Sequence, residues 1–175
     1  MRGIAVTAIA LSATALAGCQ TIDEATPDVI GTAAINSDGR DVGIGTIIYG
    51  PSGASVSIAL SGVSQGTHAV HLHQIGSCAA SDYTSAGGHL NPMGREHGKL
   101  NPAGSHLGDL PNVEIGPERV GTVSASLPGT EAEVRAWLFD ADGTAIIVHS
   151  GPDDYRTDPT GSAGSRVACG VLQER

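Results

Sequence analysis

Two runs of alternating residues constrain this 175-residue chain more than any other feature. Val42, Ile44, Thr46 and Ile48 alternate with Gly43, Gly45 and Ile47, and Val56, Ile58 and Leu60 alternate with Ser55, Ser57 and Ala59. A period of two places one set of side chains on one face of an extended backbone, so both runs read as half-buried β-strands. Ser37-Asp38-Gly39-Arg40 and Pro51-Ser52-Gly53 punctuate them as turns. Further strands are expected at 31–36, 68–74, 121–126, 144–149 and 166–172. Thr130-Glu131-Ala132-Glu133 has the spacing of a capping box and predicts one short helix through Leu138. With 25 Gly and 9 Pro, the composition favours turns over long helices, and the expectation is a single all-β domain. Two stretches, about 79–110 and 150–165, carry no strand pattern and are rich in Gly, Pro, Ser and Asp. Connections of that length inside a compact domain are usually functional or disordered.

Charge removes one class of function. Nine basic residues face 18 acidic ones, for a net charge of −9. A nucleic-acid binder needs a face that neutralises phosphates, and this chain does not supply one. The first residues form a separate unit. Met1-Arg2 is a short positive start, 3–15 is an unbroken run of small and apolar residues, and Leu16-Ala17-Gly18-Cys19 closes it. The run is shorter than the roughly 20 residues a spanning helix needs, and fits the apolar region of a signal peptide. Its ending resembles a bacterial lipoprotein box. That reading makes 1–18 a lipoprotein signal peptide, Cys19 the lipid-bearing residue, 19–30 a polar tether reaching roughly 15–20 Å, and 31–175 the folded domain. The alternative is an ordinary signal peptide with Cys19 incidental. A lipid anchor implies a periplasmic protein of the cell envelope. Gln20, in place of an Asp that retains such proteins at the inner membrane, favours the outer membrane. With Cys19 acylated, Cys78 and Cys169 remain, and in an oxidising compartment a disulfide is their expected state. The chain-entropy model credits so long a loop with roughly 4–5 kcal/mol. Two buried thiols are the alternative.

The seven histidines carry the chemistry: His68, His71, His73, His89, His97, His106 and His149. On a strand, His71 and His73 share a face roughly 6.6 Å apart, which lets two imidazoles grip one ion from a rigid support. His68 falls on the opposite parity and suits a structural hydrogen bond. His149 ends the apolar run Ala145–Val148 and offers a further ligand from another strand. His89, His97, His106 and Asp109 lie in the first long loop, which has little apolar content to hold it folded; a bound metal would supply the staple. Imidazole-rich sites suit copper or zinc, and three His with one carboxylate is the make-up of a closed zinc site. A single His-x-His is a weak motif. Five histidines between 71 and 106 are much harder to assign to surface or core.

In ordered blocks the chain resembles the copper,zinc superoxide dismutases in their bacterial exported form, over roughly residues 31 to 172. The matching strings are His68-Ala69-Val70-His71-Leu72-His73, Gly76-Ser77-Cys78, Gly88-His89-Leu90-Asn91-Pro92, His106-Leu107-Gly108-Asp109, Ile147-Val148-His149 and Gly164-Ser165-Arg166-Val167-Ala168-Cys169. The resemblance implies a flattened eight-stranded Greek-key β-barrel or sandwich with the metals outside it under two long loops. It implies copper on His71, His73, His89 and His149, and zinc on His89, His97, His106 and Asp109, so that His89 bridges the two. Asp153 matches an aspartate linking ligands of the two metals, against the alternative of a solvated acid beside Asp154. Arg166 matches the arginine that attracts the anion, and Thr160 the residue narrowing the opposite wall. The implied activity is disproportionation of superoxide to dioxygen and hydrogen peroxide, the anion being the small-molecule partner. Both homodimers and monomers fit the resemblance. Arg166 is the firm positive group near the site, with Lys99 and Arg95 as further candidates, whereas 150–158 carries three acids and one Arg. Other readings are a metal-buffering lipoprotein without turnover, a zinc hydrolase and a structural envelope protein. The hydrolase reading lacks a His-Glu-x-x-His motif and an open zinc position.

Overall fold

The pattern of short strands and turns folds into ten strands, one α-helix and one turn of 3-10 helix in a computed structural model that describes residues 26–79 and 81–175. The expectations for the signal peptide, Cys19 and most of the tether lie outside the described residues. In chain order the elements are β1 (Asp28–Ser37), β2 (Arg40–Gly50), β3 (Gly53–Ser61), β4 (Gly66–His68), β5 (Val70–His73), β6 (Val113–Ile115), β7 (Val120–Leu127), α1 (Glu131–Leu138), β8 (Ala145–His149), β9 (Arg166–Val171) and β10 (Gln173–Glu174). The 3-10 turn is Thr84–Ala86.

One antiparallel sheet runs in the order β5-β8-β9-β1-β2-β3-β7, with β10 continuing the β9 edge of β1. The β4–β6 pair joins its two ends, because only Ala69 separates β4 from β5 and a tight turn, closed by the Gly116 N–H on the Val120 carbonyl at 3.1 Å, joins β6 to β7. The sheet therefore curls into the Greek-key β-barrel expected of an all-β chain. Leu72, Ile30, Ile35, Ile47, Val56, Ile58, Ile146 and Val148 fill its interior. Helix α1 follows its capping box: the Thr130 hydroxyl accepts from the Glu133 N–H, the Glu133 carboxylate accepts from the Thr130 N–H, and Val134 and Leu138 face the core.

Several boundaries differ from the sequence reading. β1 begins at Asp28 and buries Ile30, so the last three residues of the expected tether belong to the barrel. The single strand expected at 68–74 breaks at Ala69. Its N–H bonds the Gly151 carbonyl and its carbonyl accepts the His149 N–H, which turns it away from the β4–β6 ladder. β6 and β10 are only three and two residues long, too short to leave a periodic signal. In β2 the pairing slips beside Val42, where Ile35 faces Gly43 but Asn36 faces Asp41. This bulge reverses the faces of the strand. Val42, Gly45 and Ile47 point inward and Ile44 lies exposed, so the even-numbered apolar set does not share one face.

Two features aim side chains out of the barrel and under the long loops. β5 and β8 are buried on both sides: Val70, Leu72, Ile146 and Val148 enter the core, while His71, His73, Ile147 and His149 alternate to the outer face. In β9 the register slips at Val167, since Val148 pairs with Ala168 and His149 with Arg166. That extra residue puts Arg166 on the outer face with Cys169, despite their odd separation. Cys169 is joined to Cys78 across 91 positions of sequence, with Cα atoms 5.8 Å apart, and so pins the start of the first long loop to β9. Replacing both cysteines with Ser should lower the unfolding free energy by roughly 2–5 kcal/mol in chemical denaturation. An unchanged midpoint would show that the loop is held by other contacts.

Candidate metal centre

The first long loop is laid along β5 by a short ladder. The Leu72 N–H donates to the Gly108 carbonyl at 2.9 Å, the Leu90 N–H to Leu72 at 2.8 Å, and the Gly108 N–H to Leu90 at 2.9 Å. A Cβ at Gly108 would come within 2.2 Å of the Leu72 carbonyl oxygen, so this approach needs glycine. The result sets His71 opposite Asp109 and His73 opposite His89. Strand alternation and loop ladder together bring six histidines and one aspartate to one place.

They divide into two donor groups. In the first, His71, His73, His89 and His149 are all buried, with ligand atoms within 4.8 Å of one another. His71 Nδ1, His73 Nε2, His89 Nε2 and His149 Nε2 are buried and have no hydrogen-bond partner. The opposite nitrogens of three rings are committed: His73 Nδ1 lies 3.0 Å from the Gly87 carbonyl, His149 Nδ1 3.3 Å from the Gly164 carbonyl, and His71 Nε2 3.0 Å from Asp153 Oδ2. Carbonyl oxygens only accept, so the N–H of His73 and of His149 is on Nδ1 and the lone pair is on the unpartnered Nε2. Four buried lone pairs aimed at one point, each costing about 1–3 kcal/mol if left unpaired, call for a shared cation.

In the second group, His89, His97 and His106 turn their Nδ1 atoms to Asp109 Oδ1 at 2.8, 3.0 and 3.1 Å, and His89 Nδ1 lies 3.4 Å from His106 Nδ1. A tetrahedron built on zinc bonds of ~2.0–2.1 Å has edges of about 3.3 Å, so these four atoms already approximate its corners. Asp109 Oδ2 accepts the Gly98 N–H at 2.8 Å and the His106 N–H at 3.0 Å, which fixes the carboxylate. His97 is fully buried, and its N–H donates to Asp158 Oδ1 at 2.6 Å. His89 is the only ring with a nitrogen in each group.

Asp153 joins the groups from behind: Oδ2 to His71 Nε2 and Oδ1 to His97 Nε2, both at 3.0 Å. The sequence reading assigned no role to Asn112, which brackets this aspartate by accepting its N–H and donating to its carbonyl, each at 2.9 Å. Gly161, also passed over, has φ +65°, and a Cβ there would lie 2.0 Å from Asp153 Oδ1. Their only signal was proximity to residues already suspected. His68 stands apart as its parity predicted, with Nδ1 2.7 Å from the His149 carbonyl. Arg166 is half-buried and donates to the Tyr83 and Gly87 carbonyls, both at 2.6 Å. The Gly87 carbonyl thus receives both Arg166 and His73. With Asp82, Thr84, Gly164 and Ser165, Arg166 lines a surface pocket. Thr160 is exposed, its N–H on the Thr157 carbonyl at 3.2 Å. Lys99 lies over the Tyr155 ring, 3.9 Å from its centroid, and Arg95 is exposed beside His106.

Burial sets the protonation of the site. It is the first cause that pushes His73 down to about 2, His149 to about 3 and His89 to about 4, and neighbouring rings add to it in each case. For His89 the Asp109 carboxylate opposes the shift. Burial works against ionisation of Asp109, but hydrogen bonds from His89 and the Gly98 N–H overcome it and hold that carboxyl well below its usual range. Asp153 is likewise held low by His71 and His97 against its burial. His73, His89 and His149 are therefore neutral and ready to ligate at physiological pH.

The comparisons with known proteins agree with this geometry. The family model described as copper/zinc superoxide dismutase matches residues 30–172. The Cu-Zn superoxide dismutase of Caulobacter vibrioides is 41% identical over 149 residues, covering 81% of this chain and 84% of that one. Cu-Zn superoxide dismutase 2 of Aquifex aeolicus is 40% identical over 143 residues, covering 79% and 83%. A solved SOD-like protein from Bacillus subtilis superimposes with a TM-score of 0.74 at 35% identity, covering 81% and 97%. The chain belongs to the copper/zinc superoxide dismutase family.

The depressed histidines give a signed prediction for protein stripped of metal by chelation. In the unfolded chain each ring takes up a proton near pH 6.5, whereas the folded rings refuse it until about 4, 3 and 2. Stability should therefore fall as pH drops below about 6.5, by up to ~1.4 kcal/mol per pH unit for each ring. Urea denaturation at pH 7 and pH 5 should differ by at least ~2 kcal/mol. Equal stabilities would mean that the rings are not buried neutral.

Proposed function

We propose that copper is held by His71, His73, His89 and His149, and zinc by His89, His97, His106 and Asp109, with the His89 ring shared between them. The chain is a superoxide dismutase, and the observation that carries the site assignment is the convergence of four partnerless imidazole nitrogens on one side of His89 and a carboxylate-centred set on the other. Four nitrogen donors suit copper, and three His with one Asp suit a closed zinc site. Bound copper supplies reversible one-electron chemistry to two superoxide ions in turn, yielding dioxygen and hydrogen peroxide.

The protein's own part is to orient ligands and admit the anion. Asp153 and the Gly87 and Gly164 carbonyls fix the ring orientations from the second layer. Arg166 stays cationic although burial lowers its pKa, and the guanidinium donors not spent on Tyr83 and Gly87 are free for superoxide. Thr160 faces solvent on the second long loop, consistent with a part in the wall of the approach. We extend the reading to the cell envelope: a lipid on Cys19 would hold the enzyme in the periplasm, at the outer membrane, where it would intercept superoxide.

Metal content and an electron spin resonance spectrum, measured with superoxide loss, separate this reading from a metal buffer. Full loading without turnover would sink the enzyme. His149→Ala should abolish copper binding and turnover while zinc and fold survive; retention of copper would remove His149 from the ligand set. Arg166→Ala should lower the second-order rate roughly tenfold and flatten its salt dependence with both metals retained. Loss of copper from that variant would instead make Arg166 a support for the His73 shell.

A further inference from the structure

Away from the metal centre, the β1–β2 hairpin, the 62–65 connection and the turn before β7 meet around a cavity of about 180 Å³, about six water volumes at ~30 Å³ each. Arg40 and Arg119 supply its charge, and Ser37, Ser64 and Ser150 its hydroxyls. Among the described residues, no carboxylate lines it. Asp38 and Asp41 flank Arg40 in sequence but face solvent outside the cavity. Two arginines without an acid are unexpected in a chain with twice as many acidic as basic residues.

The two guanidinium groups are differently prepared. Arg119 is fixed: its Nε donates to the Val63 carbonyl at 3.2 Å, its Nη2 to the Gly62 carbonyl, and its own carbonyl accepts the Gly62 N–H at 2.8 Å. Arg40 is exposed, and its side chain makes no hydrogen bond or ion pair among the described residues. One held cation and one free cation, which only donate, stand beside three hydroxyls that can donate or accept; Ser150 Oγ already accepts the Ser165 N–H at 3.0 Å, which leaves its own O–H to donate. A tetrahedral oxyanion can accept from several directions at once and pairs well with guanidinium forks.

We propose that this cavity binds a small oxyanion of the phosphate type, at a site separate from the Arg166 approach to the metals. Strand geometry separates the two. Ser150 follows His149, and Val167, another lining residue, follows Arg166, so cavity-facing positions alternate with metal-facing ones. A short relay nevertheless links them: Ser64 Oγ lies 3.3 Å from His68 Nε2, and His68 Nδ1 lies 2.7 Å from the His149 carbonyl. A phosphate could come from solution or from a lipid headgroup. β1 extends about 30 Å from Asp28 to Ser37, which places the cavity at the end of the strand remote from an anchored N-terminus and favours the soluble anion.

The test uses the copper(I)- and zinc-loaded protein, labelled with nitrogen-15, kept reduced and titrated with inorganic phosphate at fixed ionic strength. The amide signals of Arg40, Val63, Arg119 and Ser150 should follow one saturable curve. Arg40→Glu should raise its dissociation constant at least tenfold, and Ser37→Asp, which adds a carboxylate without touching Arg119, should do the same. Arg166→Ala should leave the curve in place, and Arg40→Glu should turn over superoxide at the wild-type rate in phosphate-free buffer. Wild-type affinity in Arg40→Glu, shifts confined to the surroundings of Arg166, or a response that never saturates would each overturn the site. Arg40-dependent binding to phosphatidylglycerol vesicles without a response to inorganic phosphate would overturn the assignment to a soluble anion.

Discussion

An imidazole removed from water must find a partner for each of its two nitrogens, and in this barrel that requirement governs almost everything outside the core. His71, His73 and His149 each spend one nitrogen on a carbonyl or carboxylate and leave the other bare. His89 has no nitrogen left over for such an anchor, because one faces Asp109 and the other faces the three bare atoms. Protonation does not satisfy the lone pairs of His73, His89 and His149, since burial drives these three rings toward neutrality and neighbouring rings repel a second charge. A cation is the remaining partner. Metal binding therefore adds to the stability of the loop, as expected where the donor groups come from a segment with few apolar contacts of its own.

The barrel contributes rigidity and parity rather than chemistry. Alternation along β5 and β8 delivers three imidazoles from backbone that is buried on both faces and hydrogen-bonded to its neighbours, which keeps them within a narrow range of positions. A strict period of two would turn Arg166 into the core, three positions before Cys169. The bulge at Val167 corrects this and lets the guanidinium reach the Tyr83 and Gly87 carbonyls. The disulfide then acts at one remove. By pinning Cys78 it holds the segment whose Gly87 carbonyl orients both His73 and Arg166. The orientation of the His73 ring and the placing of the Arg166 guanidinium thus depend on the same stretch of loop.

Much of this was readable from residues alone, for identifiable reasons. Parity separated His68 from His71 and His73 because a strand's side-chain direction is set by counting, and the break at Ala69 did not disturb that count. The capping box at Thr130 is local and survived intact. Clustering of histidines in a loop poor in apolar residues marked a metal site before any fold was known. What escaped were features with no side-chain signature. The bulges at Val42 and Val167 are one-residue changes in pairing, visible only once the partner strand is in place. The Gly87 carbonyl is a backbone atom, and any residue type offers one. Asn112 and Gly161 act through Asp153, so their roles exist only after the two long loops have met. The tether boundary slipped by three residues because Asp28 and Val29 are polar or exposed in a strand that buries only from Ile30 onward.

Charge is where counting residues misleads most. A net charge of −9 and three acids in 150–158 look hostile to an anionic substrate. The structure uses those acids internally. Asp153 lies between His71 and His97. Asp154 turns its carboxylate back on the Arg156 and Thr157 N–H groups and the Thr157 hydroxyl, which hold its pKa down at about 2. Asp158 takes the His97 N–H. Asp153 and Asp158 are thus spent on β5 and the first long loop, and Asp154 on its own loop, none of them on the Arg166 pocket, whose carboxylate is Asp82, itself turned onto the Thr84 N–H and hydroxyl. At physiological salt, exposed charges lose most of their influence beyond about 8 Å. The field in the Arg166 pocket is then decided by the few groups that line it, with the half-buried Arg166 least screened among them, and the acidity of the whole surface bears more on solubility.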